Sequence, residues 1–198
     1  SRTPEDGRDI SRDDWADQKQ VWDEFRKRKP EILAGLQARD CNDRREAALA
    51  LGQLGAEARD ALPQLAKLLK EEDPYEERPL HQDVAQAIGQ VGADAPEAVA
   101  VLAGVLADQA EDNRSVRLNA VRALGRMRSV PAHLEALAKA LKDPWGAVRL
   151  EAALTLGREG PAAKEAVPAL QEALKDPLGA VHEAAGEAIR KITGETKG

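Results

Sequence analysis

The chain has 198 residues, of which 42% are hydrophobic, and its aromatics are three Trp, one Tyr and one Phe, so a core made mainly of Ala and Leu suits closely stacked helices better than a sheet. Its 29 basic and 35 acidic residues leave a net charge of −6, with no positive excess to hold a polyanion such as nucleic acid. The lone cysteine, Cys41, excludes an intrachain disulfide and leaves a cysteine-based zinc site without partners, and no apolar run nears the roughly 18 residues of a membrane span.

In chain order, residues 1–10 are polar and charged, with too little apolar content to fold alone, and are read as disordered. Ser11 with Asp14 resembles a capping box with the shorter acid, and Trp15, Val21, Trp22 and Phe25 can share one broad face of a helix over 11–29 that ends before Pro30. Three of the five aromatics lie there, which predicts a helix closing the apolar end of a stack, with a partner-binding helix as the alternative. The run Arg26-Lys27-Arg28-Lys29 is read as cations at the helix C-terminus, opposing its dipole.

Residues 30–198 read as one repeat domain. ALKDPWGAV at 140–148 and ALKDPLGAV at 173–181 share eight of nine residues at an offset of 33, the mark of a duplicated unit. The same register runs backwards through AALALGQLG at 47–55, VAQAIGQVG at 84–92, AVRALGRMR at 120–128 and AALTLGREG at 152–160, with a degenerate AAGEAIRKI at 184–192. Each of these from the second onwards follows a helix with a leucine at an equivalent place, Leu65, Leu102, Leu137 and Leu170, so the unit is helix, turn, helix, turn.

Counting Val148 as zero, and its equivalents Asp43, Leu80, Val116 and Val181 likewise, the second helix of each unit is predicted to bury positions +4, +8 and +11. In the third unit these are Ala120, Leu124 and Met127, alongside Val116. Small residues at +5 and +9, such as Ala48 with Gly52, Ala85 with Gly89 and Ala153 with Gly157, predict close approach of neighbouring helices, since glycine inside a helix costs about 1 kcal/mol against alanine. Asp143-Pro144 and Asp176-Pro177 are expected to end first helices, and Gly55, Gly92 and Gly160 to take left-handed caps after second ones. Residues 71–79, EEDPYEERP, and the stretch from Gln109 to Asn113 are read as solvated turn extensions.

The combination of Asp-Pro, a following Val-Arg (Val116-Arg117, Val148-Arg149), an Ala-Ala-x-x-Leu-Gly helix and a Val-Pro-x-Leu helix resembles the HEAT-repeat family, in its short bacterial form, over roughly residues 31–194. The ankyrin and tetratricopeptide signatures, which share the period, are absent. The expected fold is an all-α solenoid of about five HEAT-like helix pairs with an extra N-terminal capping helix.

The sequence offers little for catalysis. His81 and His182 hold the same +1 position three repeats apart, on the order of 25–30 Å, so they cannot share a metal. His182-Glu183-Ala184-Ala185 resembles the iron-binding motif of deoxyhypusine hydroxylase, a HEAT-repeat enzyme, but the other units carry Arg44-Arg45, His81-Gln82, Arg117-Leu118 and Arg149-Leu150, and only one pair of five keeps both ligands. Phycobilin lyases also contain HEAT-like repeats, and no lyase-specific residue transfers from them to this chain. A nucleic-acid or anionic-polymer binder resembling the HEAT-fold DNA glycosylases needs a basic face that the overall charge disfavours. No metal, cofactor or catalytic set is assigned.

In HEAT arrays the second helices line the concave side, which the resemblance makes the face to read. There +2 and +6 place Leu118, Leu150 and Leu154 where polar residues would cost nothing, beside Arg122, Arg126 and Arg158, which reads equally as a binding patch or as leucines packed against a neighbouring helix. Trp145 either borders the patch or packs in the turn between repeats, the simpler of the two. The expectation is a non-enzymatic, monomeric protein-interaction scaffold that binds a protein or peptide, rather than nucleic acid or membrane, on the concave face of repeats three and four.

Overall fold

The computed structural model describes residues 23–24, 26–69, 71, 80–93, 95–108, 114–127 and 131–194. The stretch 1–10, most of the N-terminal helix with Trp15, Val21, Trp22 and Phe25, and both turn extensions apart from Glu71 lie outside them. Among the described residues every regular element is helical.

Five helix pairs follow one another. They are α1 (Lys29–Gly35) with α2 (Cys41–Leu54), α3 (Leu62–Leu68) with α4 (Leu80–Val91), α5 (Pro96–Ala107) with α6 (Arg114–Leu124), α7 (Pro131–Ala140) with α8 (Gly146–Glu159), and α9 (Val167–Ala173) with α10 (Gly179–Thr193). Each pair packs internally, and the second helices also pack successively, α2 on α4, α4 on α6, α6 on α8 and α8 on α10. The result is two layers, first helices on one side and second helices on the other, around a continuous aliphatic core.

The repeat register explains that core. Leu65, Leu102, Leu137 and Leu170 of the first helices are fully buried, and so are Leu51, Ile88, Leu124 and Leu156 at +8 of the second helices. The glycines at +9 set the spacing between second helices. A Cβ on Gly52 would stand 3.2 Å from the Ala87 Cα, one on Gly89 3.1 Å from the Ala123 carbonyl oxygen, and one on Gly157 3.1 Å from the Ala188 Cα. Gly125 meets Thr155 in the same way, at 2.9 Å from its methyl. Position +9 of one repeat thus lies against +7 of the next, so helix propensity is given up for backbone approach. In α10 the equivalent residue is Arg190, bonded to Glu187, and that face carries charge instead of a shallow groove.

Two of the three expected glycine caps have positive φ. Gly55 (φ 55°, ψ −132°) and Gly160 (φ 57°, ψ −138°) close α2 and α8 in a region open to glycine rather than in the left-handed helical one, and each opens a 3-10 segment, Gly55–Ala61 and Gly160–Ala166. Gly92 does not have positive φ. Its hydrogen side faces Ala98 of α5, where a Cβ would lie 2.0 Å from the alanine methyl, so packing rather than backbone conformation selects glycine there.

Candidate functional site

The turn before each second helix uses its aspartate twice. In repeat four, Asp143 Oδ1 accepts from the Trp145 backbone N–H at 2.8 Å, while the carboxylate takes Arg117 of the preceding repeat through Nε at 2.7 Å and Nη2 at 3.2 Å. Arg117 also donates to the Asp108 carbonyl, and its side chain is fully buried. Repeat five repeats the motif, with Arg149 on Asp176 at 2.6 and 3.0 Å and the Leu178 N–H on Asp176 Oδ1. Val-Arg and Asp-Pro, which recur in the sequence as separate signatures, are therefore the two halves of one strap between neighbouring repeats.

Where +1 is histidine, the ring still reaches for turn backbone. His81 Nε2 lies 2.7 Å from the Glu71 carbonyl, and His182 Nδ1 bonds the Leu174 carbonyl. Among the described residues, no group of three or more His, Cys, Asp and Glu side chains is arranged to hold a metal ion, and no helix is long and apolar enough to cross a membrane.

The Arg149 hydrogen bond, aided by the Leu178 N–H, holds the Asp176 carboxyl below the usual carboxylate range against the opposing effect of burial. A folded pKa below the unfolded value of about 3.9 means that this stabilisation is complete above that value and drains away as pH falls through the folded pKa. Thermal melts from about pH 5 to about pH 3 should therefore show Asp176→Asn losing less stability than the parent, while being less stable at neutral pH. An identical acid slope in the two proteins would contradict the strap's contribution.

The residues expected to form a binding face are carried by α6, α8 and the ends of these helices. Leu154 is 46% exposed, whereas Leu118, Leu150 and Trp145 are partly buried and packed against the core. The reason is the closeness of the second helices, which turns the flank of each +2 position toward its neighbour. Trp145 lies under the Arg114 guanidinium, 5.6 Å from its ring centroid, at the N-terminal end of α8. Arg158, thirteen residues along the same helix, stands about 20 Å away, so the seven residues line a strip rather than a pocket.

The polar half of that strip is cross-linked. Glu151 at +3 of α8 lies 3.6 Å from Arg122 of α6 and 3.1 Å from Arg158 of α8, and Arg158 also donates to the Thr155 hydroxyl at 2.8 Å. Arg126 reaches back to Gln86 of repeat two at 3.3 Å. Sequence reading passed over Glu151, although its seven-residue spacing from Arg158 places both on one face after two helical turns. It also missed a groove of about 580 Å³ in the layer of first helices, between α5 and α7, where Ala100, Ala107 and Ala132 are exposed and Ala103 and Leu106 half-buried over the buried Val99, Ala136 and Ala140.

A family model of HEAT repeats matches residues 30–115 and 106–190. The chain belongs to the HEAT-repeat family. No curated protein matches it. Among solved structures, this HEAT array is similar to one in the complex of CpcE and CpcF of phycocyanin lyase from Nostoc sp. PCC7120, with 28% identity and a TM-score of 0.59 over 84% of this chain. The chain spans only 65% of the length of that protein. It is also similar to an engineered protein from the Northeast Structural Genomics Consortium, with 25% identity and a TM-score of 0.50, covering 82% of this chain and 78% of the other.

Proposed function

We propose that this HEAT array is a non-enzymatic scaffold that binds a peptide or protein segment along the second helices of repeats three and four, the side that is concave in such arrays. The observation that carries the reading is Leu154, a large apolar side chain left 46% exposed in the middle of a strip bordered by Arg122, Arg126 and Arg158. An apolar centre ringed by arginines is the composition of interface hot spots. The similar array in the CpcE and CpcF structure is part of a complex between two proteins, which accords with a protein partner.

Leu154→Asp tests this directly, because the side chain is exposed and its replacement leaves the core packing intact. Binding should fall by at least about tenfold, as for truncation of a hot spot, with helical circular dichroism and melting unchanged. Leu150→Asp is the poorer probe, since Leu150 packs on the core. Unaltered binding by Leu154→Asp would remove the assignment.

The likeness to a phycocyanin lyase structure favours a second reading, a role as part of a lyase that acts on phycocyanin. Mixing the chain with phycocyanin and following chromophore absorbance separates the two: a change that depends on the chain supports the lyase, and a silent spectrum supports the scaffold.

A further inference from the structure

The charges of the second-helix face are not spread evenly along the stack. In repeats one and two, Arg45 is matched by Asp83. In repeat five, Arg190 and Lys191 share Glu187, with Glu183 on the same helix. Repeats three and four differ, because Arg122 and Arg158 share Glu151 as their one carboxylate among the described contacts of this strip, and Arg126 reaches the neutral Gln86.

Glu151 itself is only 21% exposed, while the Arg122 and Arg158 side chains are 43% and 58% exposed. Each guanidinium has five N–H donors in a planar fork, and the described contacts engage one nitrogen of each, Nε of Arg122 and Nη2 of Arg158. The outer donors face solvent beside Leu154, in a geometry suited to a second carboxylate arriving with an apolar neighbour.

We infer that Arg122 and Arg158 form a two-pronged seat for a carboxylate of the partner, that Glu151 holds the pair in place in the free protein, and that the partner is an acidic protein segment carrying a leucine-like side chain next to its acid. The inference rests on the binding face proposed above and names its ligand chemistry. Glu151 acts in two opposed ways. It fixes the arginines, and it partly cancels the potential that would draw in the partner's acid. Exposed ion pairs of this kind hold each other weakly, so an incoming carboxylate can share the cations without first breaking a strong bond. Cancellation of charge is the larger effect on affinity, because Arg158 keeps its bond to Thr155 without Glu151.

The probe is a fluorescein-labelled peptide of three copies of Glu-Leu-Glu-Ser, compared with its Gln-Leu-Gln-Ser counterpart by fluorescence anisotropy on the whole chain. The acidic peptide should bind at least about tenfold tighter than the neutral one, and Glu151→Gln should tighten it about fivefold at low salt with a steeper loss of affinity as salt rises. Adding Arg158→Gln to Glu151→Gln should erase that gain. Equal binding of the two peptides, or a Glu151→Gln variant that binds no tighter, would overturn the carboxylate seat. A single-stranded oligonucleotide that displaces the peptide at equal concentration would overturn the choice of an acidic protein segment. Leu154→Asp separates the two levels of the proposal: if it leaves peptide binding intact, the binding face itself is wrong, and if it abolishes binding while Glu151→Gln has no effect, only the seat is wrong.

Discussion

Asp143→Ala is expected to cost about 3–5 kcal/mol, the range for removing one member of a buried ion pair, and to lower the melting temperature by roughly 10 °C. The Arg117 guanidinium it abandons is fully buried between repeats three and four, where water cannot replace the lost oxygens. The same change strips the acceptor from the Trp145 N–H, so the Asx turn that leads into α8 is lost as well. Lys142→Ala is the control. Its partner Glu172 is exposed, as it is, so water and salt screen the pair at 2.9 Å and its loss should hardly move the melt. Calorimetry of both variants checks the contrast, and a loss for Asp143→Ala no larger than that for Lys142→Ala would show that the strap is not a structural hinge point of the stack.

Gly92→Ala should be the second severe change, although alanine is the better helix former. A Cβ there would sit 2.0 Å from the Ala98 methyl, and Ala98 is fully buried, so neither group can swing away as a long side chain would. Relief requires α4 and α5 to separate, and overpacking of this kind costs about 1–3 kcal/mol. Gly104→Ala in α5 has nothing within 4 Å of the added methyl and should instead stabilise the chain by about 0.5–1 kcal/mol. Denaturant melts of the two variants should therefore move in opposite directions. Movement in the same direction would mean that backbone entropy, not steric contact, governs both sites.

These cases also mark how far sequence reading reaches. Helix pairing, the five-unit count and the buried +4, +8 and +11 set were legible because apolar periodicity and a 33-residue offset both survive in the chain. The close helix spacing was legible from glycines at +9, where alanine would have been the local choice. Gly92 was misread as a left-handed cap because a glycine after a helix looks alike whether it serves φ or packing. The strap was not read because its halves lie 26 and 27 residues apart, and only the stacking of repeats brings Arg117 to Asp143 and Arg149 to Asp176.

The candidate face was read with less resolution, for a similar reason. Helical phase places Leu118, Leu150 and Leu154 toward the same side, but it cannot tell how deeply a neighbouring helix shields each of them. Glu151 went unremarked because its importance comes from Arg122 on another helix.

The straps have a bearing on motion. Arg44 on Glu71 ties repeat one to repeat two, Arg117 on Asp143 ties three to four and Arg149 on Asp176 ties four to five, while His81 in repeat two sets its ring on the Glu71 carbonyl. In a linear array, stability is the sum of unit and nearest-neighbour terms, so each strap raises the cost of separating one repeat from the next. Two of these straps, Arg117 on Asp143 and Arg149 on Asp176, hold the N-terminal end of α8, the helix that carries Leu154 and Arg158. A ligand landing there meets helices already locked in register and gives up little conformational entropy of the receptor, so most of the contact energy remains available as affinity.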